Sequence, residues 1–383
     1  MYRLCSYARG PRTRFDYCLG NPNGRSGYCS EGSSTSEYLL DNAIDRDFNE
    51  LIKSSNILQT LIFQFKYRIQ DGFITSNSLM YNILNLGSTF AFIASHSIQS
   101  LQIILLYLQI ASHRLGILLL HVVFLFDYLI GFVLCFLVNY IYSNNEVSFT
   151  LKLQQLYRFT RKFNNKFKSY VRVCWSYNLA MLMYTLLQLI PSLIIYNEYF
   201  SLAYLSQYSF DINIIRCTLL VRLANEQFSI WITMLNQFAN SGTVETLKLR
   251  RMFEEFVNIL SVFEQIGKSY KVVVSSLIFG THMLKIIAMW IIKDILHIAL
   301  MGIECERFYM TSERANALCT SLKTRRDLPL RRLCKNVVRV SRARGGALRG
   351  CGAFAVDAAL PLRLLVTLAD YTIVLLQFAF PEK

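Results

Sequence analysis

The sequence predicts an all-α membrane protein, a polytopic bundle of seven transmembrane helices. Three observations carry this. Charged residues make up only 17% of the 383, against about 25% in ordinary globular chains. Hydrophobic residues make up 53%, and the mean hydropathy is +0.32. Several apolar runs exceed the roughly 18 residues that suggest a bilayer crossing. A span must satisfy its own backbone, which leaves helices or closed barrels, and long runs without strict alternation specify helices.

Residues 1–50 are basic and then Ser/Gly-rich, with no apolar core. They read as a cytosolic, disordered tail without a cleavable signal, and 51–383 as the membrane domain. The first span is expected over 80–107 and the second over 116–141, joined by a short loop holding His113 and Arg114. The stretch 152–172 carries seven basic residues and no acid, a cytosolic mark. The third span covers 173–196, where Pro191 is tolerable because neighbours can satisfy the freed carbonyl. Residues 197–211 hold two acids and no Lys or Arg, so they read as an external loop. The fourth helix, 212–236, places Arg222 and Glu226 four apart on one face. Residues 237–270 look like a helical cytosolic loop.

Residues 271–302 form one apolar block, followed by twelve Lys and Arg in 303–352. One helix here would put the most basic loop outside, against the positive-inside rule. Two full helices need at least about 34 residues plus a turn. The block reaches that only by borrowing the charged stretch before it. The expectation is therefore one span degraded or lost around 271–302. The last span, 353–380, then gives an inverted scheme with the N-terminus inside and the C-terminus outside.

Near its end this last helix reads ADYTIVLLQFAF (369–380). At about 100° per residue, positions seven apart nearly superimpose, so Arg363, Asp370 and Gln377 share a stripe flanked by Val366 and Ile373. Leu360, Leu365, Leu368, Leu375 and Ala379 lie opposite. A polar stripe on a span avoids lipid. It faces protein or a water-filled path, and rings of oxygen-bearing side chains can build a cation pathway. Packing against another helix would satisfy the same stripe, as would an Asp370–Arg363 pair.

The stretch from Tyr371 to Phe378 resembles the closing signature of insect gustatory receptors: Thr-Tyr, five mostly apolar residues, then Gln-Phe. Tyr371, Gln377 and Phe378 match in type and spacing, and Asp370 stands where Thr is usual. The segments IECERFYMTSERANALC (303–319), PLRRLCKNVVRV (329–340) and CGAFAVDAALPLRLL (351–365) are similar to the run-up to that signature, most like moth and butterfly members. The shortened 271–302 block departs from the family, which has two spans and an external loop there. The resemblance implies seven inverted helices, assembly as a homo- or hetero-tetramer, and a cytosolic anchor, here 237–270 and 303–352. It implies a pore lined by the last helix of each subunit, with Gln377 at the gate beside Phe378. It also implies a tastant pocket in the earlier helices. The function expected is a tastant-gated nonselective cation channel in the plasma membrane of sensory neurons.

The remaining candidates are residues of mixed character. Asp127 sits mid-span in FLFDYLIGF and could meet a ligand or fix packing between helices. Trp175, Tyr177, Asn178 and Gln188 offer the aromatic and polar mix that lines pockets, and ordinary bundle packing would use them equally well. Lys293 and Asp294 are adjacent, so they point to different sides of a helix and need other partners. In 327–340, Leu330, Leu333, Val337 and Val340 make an amphipathic helix. It suits either a subunit contact or the anionic inner leaflet.

The net charge of +15 falls between apolar runs, as the positive-inside rule requires, rather than marking a nucleic-acid surface. The ten cysteines show no metal-like spacing with the five histidines. No metal, other cofactor or enzymatic activity is expected; the partners expected are the bilayer, a small tastant and other receptor subunits. An alternative is a G-protein-coupled type of receptor, although no Asp-Arg-Tyr follows the third span and no Asn-Pro-x-x-Tyr lies in the last. A non-functional or accessory subunit is the other alternative, given the short block.

Overall fold

The computed structural model describes residues 42–110, 143–160, 167–196, 198–240, 246–279, 286–324, 327–344, 348–350 and 354–379, with scattered positions between 129 and 140. Asp41–Lys383 forms one compact unit, and a helix over Arg46–Leu61 crosses the tail boundary expected at residue 50. The described residues are almost wholly helical: α1 (Arg46–Leu61), α2 (Leu79–Ile110), α3 (Ser143–Thr160), α4 (Phe167–Tyr196), α5 (Glu198–Asn240), α6 (Thr246–Phe279), α7 (Ile286–Leu322), α8 (Leu328–Arg344) and α9 (Leu360–Ala379). Two small antiparallel hairpins interrupt them. One pairs β1 (Arg68–Gln70) with β2 (Phe73–Thr75), and the other pairs β3 (Arg349–Gly350) with β4 (Phe354–Ala355). Asp71 and Gly72 turn the first hairpin at φ 53° and 79°, the two left-handed positions that Asp-Gly turns supply. Ile74 donates to the Asn42 carbonyl at 3.0 Å, tying the chain's first described residues to this hairpin.

The central helix of the described residues is α5. At 43 residues it is about 65 Å long, and it packs on α2, α3, α4, α6 and α7. Residues 198–211 are its first turns, not the expected external loop. The reason is burial. Ser209, Asp211 and Asn213 are all covered by neighbouring helices, and a buried backbone must bond to itself. Arg222 and Glu226 face each other at 4.0 Å, as their spacing predicts.

The lower half of α5 closes an aromatic core with α6 and α7. Phe228 lies 6.0 Å from Trp231, 5.7 Å from Phe256 and 5.5 Å from Phe308, and Phe263 stacks on Phe308 at 3.9 Å. Met252, Phe256, Ile259, Phe263 and Ile266 recur at three- and four-residue steps on α6, and all are buried. Trp231 also donates its indole N–H to the Met252 carbonyl at 2.8 Å. Trp231→Ala is therefore expected to cost about 3–5 kcal/mol, seen as a large fall in melting temperature of the full chain in detergent. An unchanged melt would remove this cluster from the stabilising core.

The 271–302 block is not one helix. It is shared between α6, which takes 271–279, and α7, which takes 286–302. Each helix reaches its length by borrowing charged sequence outside the block, the alternative that length alone made difficult. Stretches 246–270 and 303–322 are continuous with them.

Helix α8 buries Leu330, Leu333 and Val337 against α6 and α7 of its own chain, and Val340 is half-buried. Its apolar stripe is thus already covered within one protomer. Arg331, Arg332, Lys335, Arg339 and Arg342 face outward. Cys174, Cys217, Cys305, Cys319 and Cys334 are buried free thiols, packed as small apolar groups.

Among the described residues no helix is long and apolar enough to cross a membrane. Most of the 116–141 run and residues 280–285 lie outside the described residues.

Candidate functional site

The approach to α9 is held by three devices. Tyr309 on α7 accepts from the Leu348 amide at 2.8 Å and donates to the Val356 carbonyl at 3.1 Å. Burial pushes the Tyr309 phenol up, so it stays protonated and serves both partners. The Val356 amide donates to Leu348 at 2.8 Å, closing the β3–β4 hairpin. Gly302 lets the backbone at Asp357 touch α7, where any Cβ would meet the Asp357 carbonyl. Asp357 accepts from the Ala359 amide at 3.1 Å and from the Arg363 guanidinium, which opens the helix. Arg363 is thus paired with Asp357, not with Asp370 seven residues on.

Beyond its first turn the described side chains of α9 are mostly exposed. Leu360 is buried, and Leu364 and Leu368 are half-buried, while Leu362, Leu365, Val366, Tyr371, Ile373 and Val374 are exposed. Asp370 is exposed, and among the described residues it makes no ion pair. Tyr371 is 63% exposed rather than packed into the bundle of its own chain. Gln377 and Phe378 lie on the helix, but their side chains are outside the described residues.

Of the five expected pocket residues, three have described side chains: Trp175, Tyr177 and Asn178. Asp127 and the side chain of Gln188 are outside the described residues. Trp175 is 42% exposed on α4. Tyr177 packs on the main core. Asn178 is buried and fully engaged: its amide donates to Ser54 Oγ at 3.1 Å, Ser55 Oγ at 3.4 Å and the Cys174 carbonyl at 2.9 Å. It clasps α1 to α4, a packing role. A cavity of about 30 Å³ lies nearby, lined by residues that include Leu51, Ser55, Tyr67, Phe149 and Arg216. It has room for a water or two, at roughly 10–15 Å³ each.

What the structure does bring together is a buried polar seam along the upper half of α5. Ser209 accepts from the Gln64 amide, and Asn213 donates to Gln64 Oε1 at 3.1 Å. Arg216 pairs with Glu146 of α3 at 3.3 Å and donates to Gln59 of α1 at 2.8 Å, with its guanidinium 5.3 Å from the Tyr67 ring centroid. Both ions are buried, so the extra hydrogen bond and the ring offset part of their desolvation.

The densest point is Asp211. Lys293 of α7 donates to its two oxygens at 2.9 and 2.7 Å, and lies 3.4 Å from Asp294 Oδ1. His297 Nδ1 is 3.7 Å from Asp211 Oδ1, and its Nε2 is 3.4 Å from Met181 Sδ of α4. Lys293 thus finds its other partner in Asp211, and it also comes within 3.4 Å of Asp294, the neighbour it was expected to point away from. Sequence reasoning missed the cluster because Asp211 sat in a supposed loop. The available signal was Lys293, Asp294 and His297 at one-, three- and four-residue steps inside an apolar block. No family model matches this chain, and no curated protein matches it.

Proposed function

We propose that the chain is a subunit of a tastant-gated nonselective cation channel of the gustatory-receptor type, set in the plasma membrane with its N-terminus inside and C-terminus outside. The observation that carries this reading is α9: a largely apolar helix whose described side chains beyond the first turn are mostly exposed. A helix of that kind is stable only against lipid or other protein. Large apolar side chains are also exposed on α2 (Leu79, Met80, Phe90), α4 (Leu179, Leu187) and α7 (Ile292). Exposed apolar area of this extent marks a membrane or subunit surface.

On this reading four copies of α9 surround one pore, with Ile373, Gln377 and Phe378 at the constriction and Asp370 adding negative charge beside the cation path. A tastant opens it only through a higher affinity for the open state. The anchor of each subunit is the aromatic core of α5, α6 and α7 with α8 packed on it. The short apolar share of α6 and α7 favours a second reading, an accessory subunit that does not conduct by itself.

Two measurements test the proposal. Epitope tags on each terminus of intact cells should be reached by antibody at the C-terminus only; two hidden tags would favour the accessory reading, and an exposed N-terminus with a hidden C-terminus would sink both. Gln377→Ala should change permeability ratios or dose response in a channel that still opens. Unchanged ratios and dose response would move Gln377 off the pore.

A further inference from the structure

We propose that Asp211, Asp294 and His297 form a binding site for a divalent transition metal ion of the zinc class, bridging α5 and α7. One carboxylate oxygen of each Asp and one nitrogen of His297 lie within 4.8 Å of one another, and all three residues are buried. Buried carboxylates are costly unless a cation faces them. Two carboxylates meet one ammonium here, that of Lys293, and it makes its hydrogen bonds to Asp211. Asp294 Oδ1 has no hydrogen-bond partner.

The decisive group is His297. It is 5% exposed, and its Nδ1 has no hydrogen-bond partner. Its other nitrogen faces the sulfur of Met181. A thioether has no hydrogen to donate, so this contact leaves Nδ1 available as a ligand atom in the tautomer that carries N–H on Nε2. In that tautomer Nδ1, 3.7 Å from Asp211 Oδ1, offers a lone pair beside a carboxylate oxygen, the arrangement a shared cation would satisfy. Metal-bound histidines are held by an outer contact on their other nitrogen, most often to an oxygen; here the Met181 sulfur takes that place.

Two oxygens and one imidazole nitrogen with an open fourth position suit zinc. The nitrogen argues against magnesium and calcium, which take oxygen ligands. The Lys293 ammonium is the resident competitor, since it occupies the side of Asp211 that the metal would share. Tyr208, one turn before Asp211, buries its hydroxyl with no hydrogen-bond partner.

The test uses the full chain in detergent, stripped with chelator and titrated with zinc chloride. The expected result is one zinc per chain beyond the number bound by a His297→Gln variant. Asp294→Asn should weaken that site by at least about tenfold, while Lys293→Met should bind zinc at least about tenfold more tightly than the natural chain. Should the variants fail to fold, hydrogen exchange on the natural chain decides alone: zinc should slow exchange around residue 211 of α5 and residues 293–297 of α7. Zinc that binds equally well to a folded His297→Gln chain would overturn the proposal. So would protection confined to other segments, or no zinc-dependent protection at all.

Discussion

Lys293→Met is expected to destabilise the folded chain by about 3–5 kcal/mol in chelated buffer. The substitution keeps the length of the stem and removes the charge. It leaves Asp211, 2.7 Å from the lost nitrogen, with a buried carboxylate and no ammonium. The cost is the desolvation of that carboxylate, not the loss of one contact. Asp211→Asn should cost less, because a neutral amide is cheaper to bury than a charge. The double variant should lose less than the sum of the two single losses, by about 1–3 kcal/mol. Melting of the full chain followed by size-exclusion fluorescence reads all three. Additive losses would show that the two groups do not act as a pair.

The second large effect is expected at Gly302. An added methyl would meet the Asp357 carbonyl oxygen well inside contact distance, with the carbonyl carbon at 3.1 Å. Both atoms are backbone and cannot rotate away. The strand-to-helix segment would have to leave α7, pulling on the Tyr309 bonds to Leu348 and Val356. Overpacking of this kind costs about 1–3 kcal/mol. Its larger consequence is geometric, because this is where α9 is fixed to the rest of the chain. Gly302→Ala is expected to lower the melting temperature and, in chains that reach the cell surface, to abolish or shift evoked currents. Normal melting with normal currents would mean that α9 is positioned by something else.

Much of the helical order was legible from residues alone. The apolar runs 80–107 and 173–196 became α2 and α4 with ends displaced by a few residues, because continuous apolar sequence with helix-forming side chains has one solution. Helix α8 was legible for the same reason: Leu330, Leu333 and Val337 mark one face by spacing. Its partner was not. Spacing says that a face is buried and does not say against what, and α6 and α7 of the same chain cover it.

The two errors of reading share a cause. Residues 197–211 look like a loop because they are polar and lack cations, yet Asp211 and Asn213 find partners on α7 and in the segment after α1. Those partners are far away in sequence. A polar residue is cheap in a buried helix once it is paired, so local composition misleads wherever tertiary pairing is strong. Lys293 and Asp294 were expected by the same local logic to point apart, yet Lys293 lies 3.4 Å from Asp294 while it bonds to Asp211.

By itself, the sequence determined that this chain is helical, where several of its helices run, and which face of α8 is buried, since these follow from periodicity. Only the tertiary structure decided that the 271–302 block divides between two helices, that Arg363 pairs with Asp357, and that Asp211 meets Lys293, Asp294 and His297. Those outcomes depend on distances between segments separated by dozens of residues, and a desolvated charge selects its partner by distance, not by position in the chain.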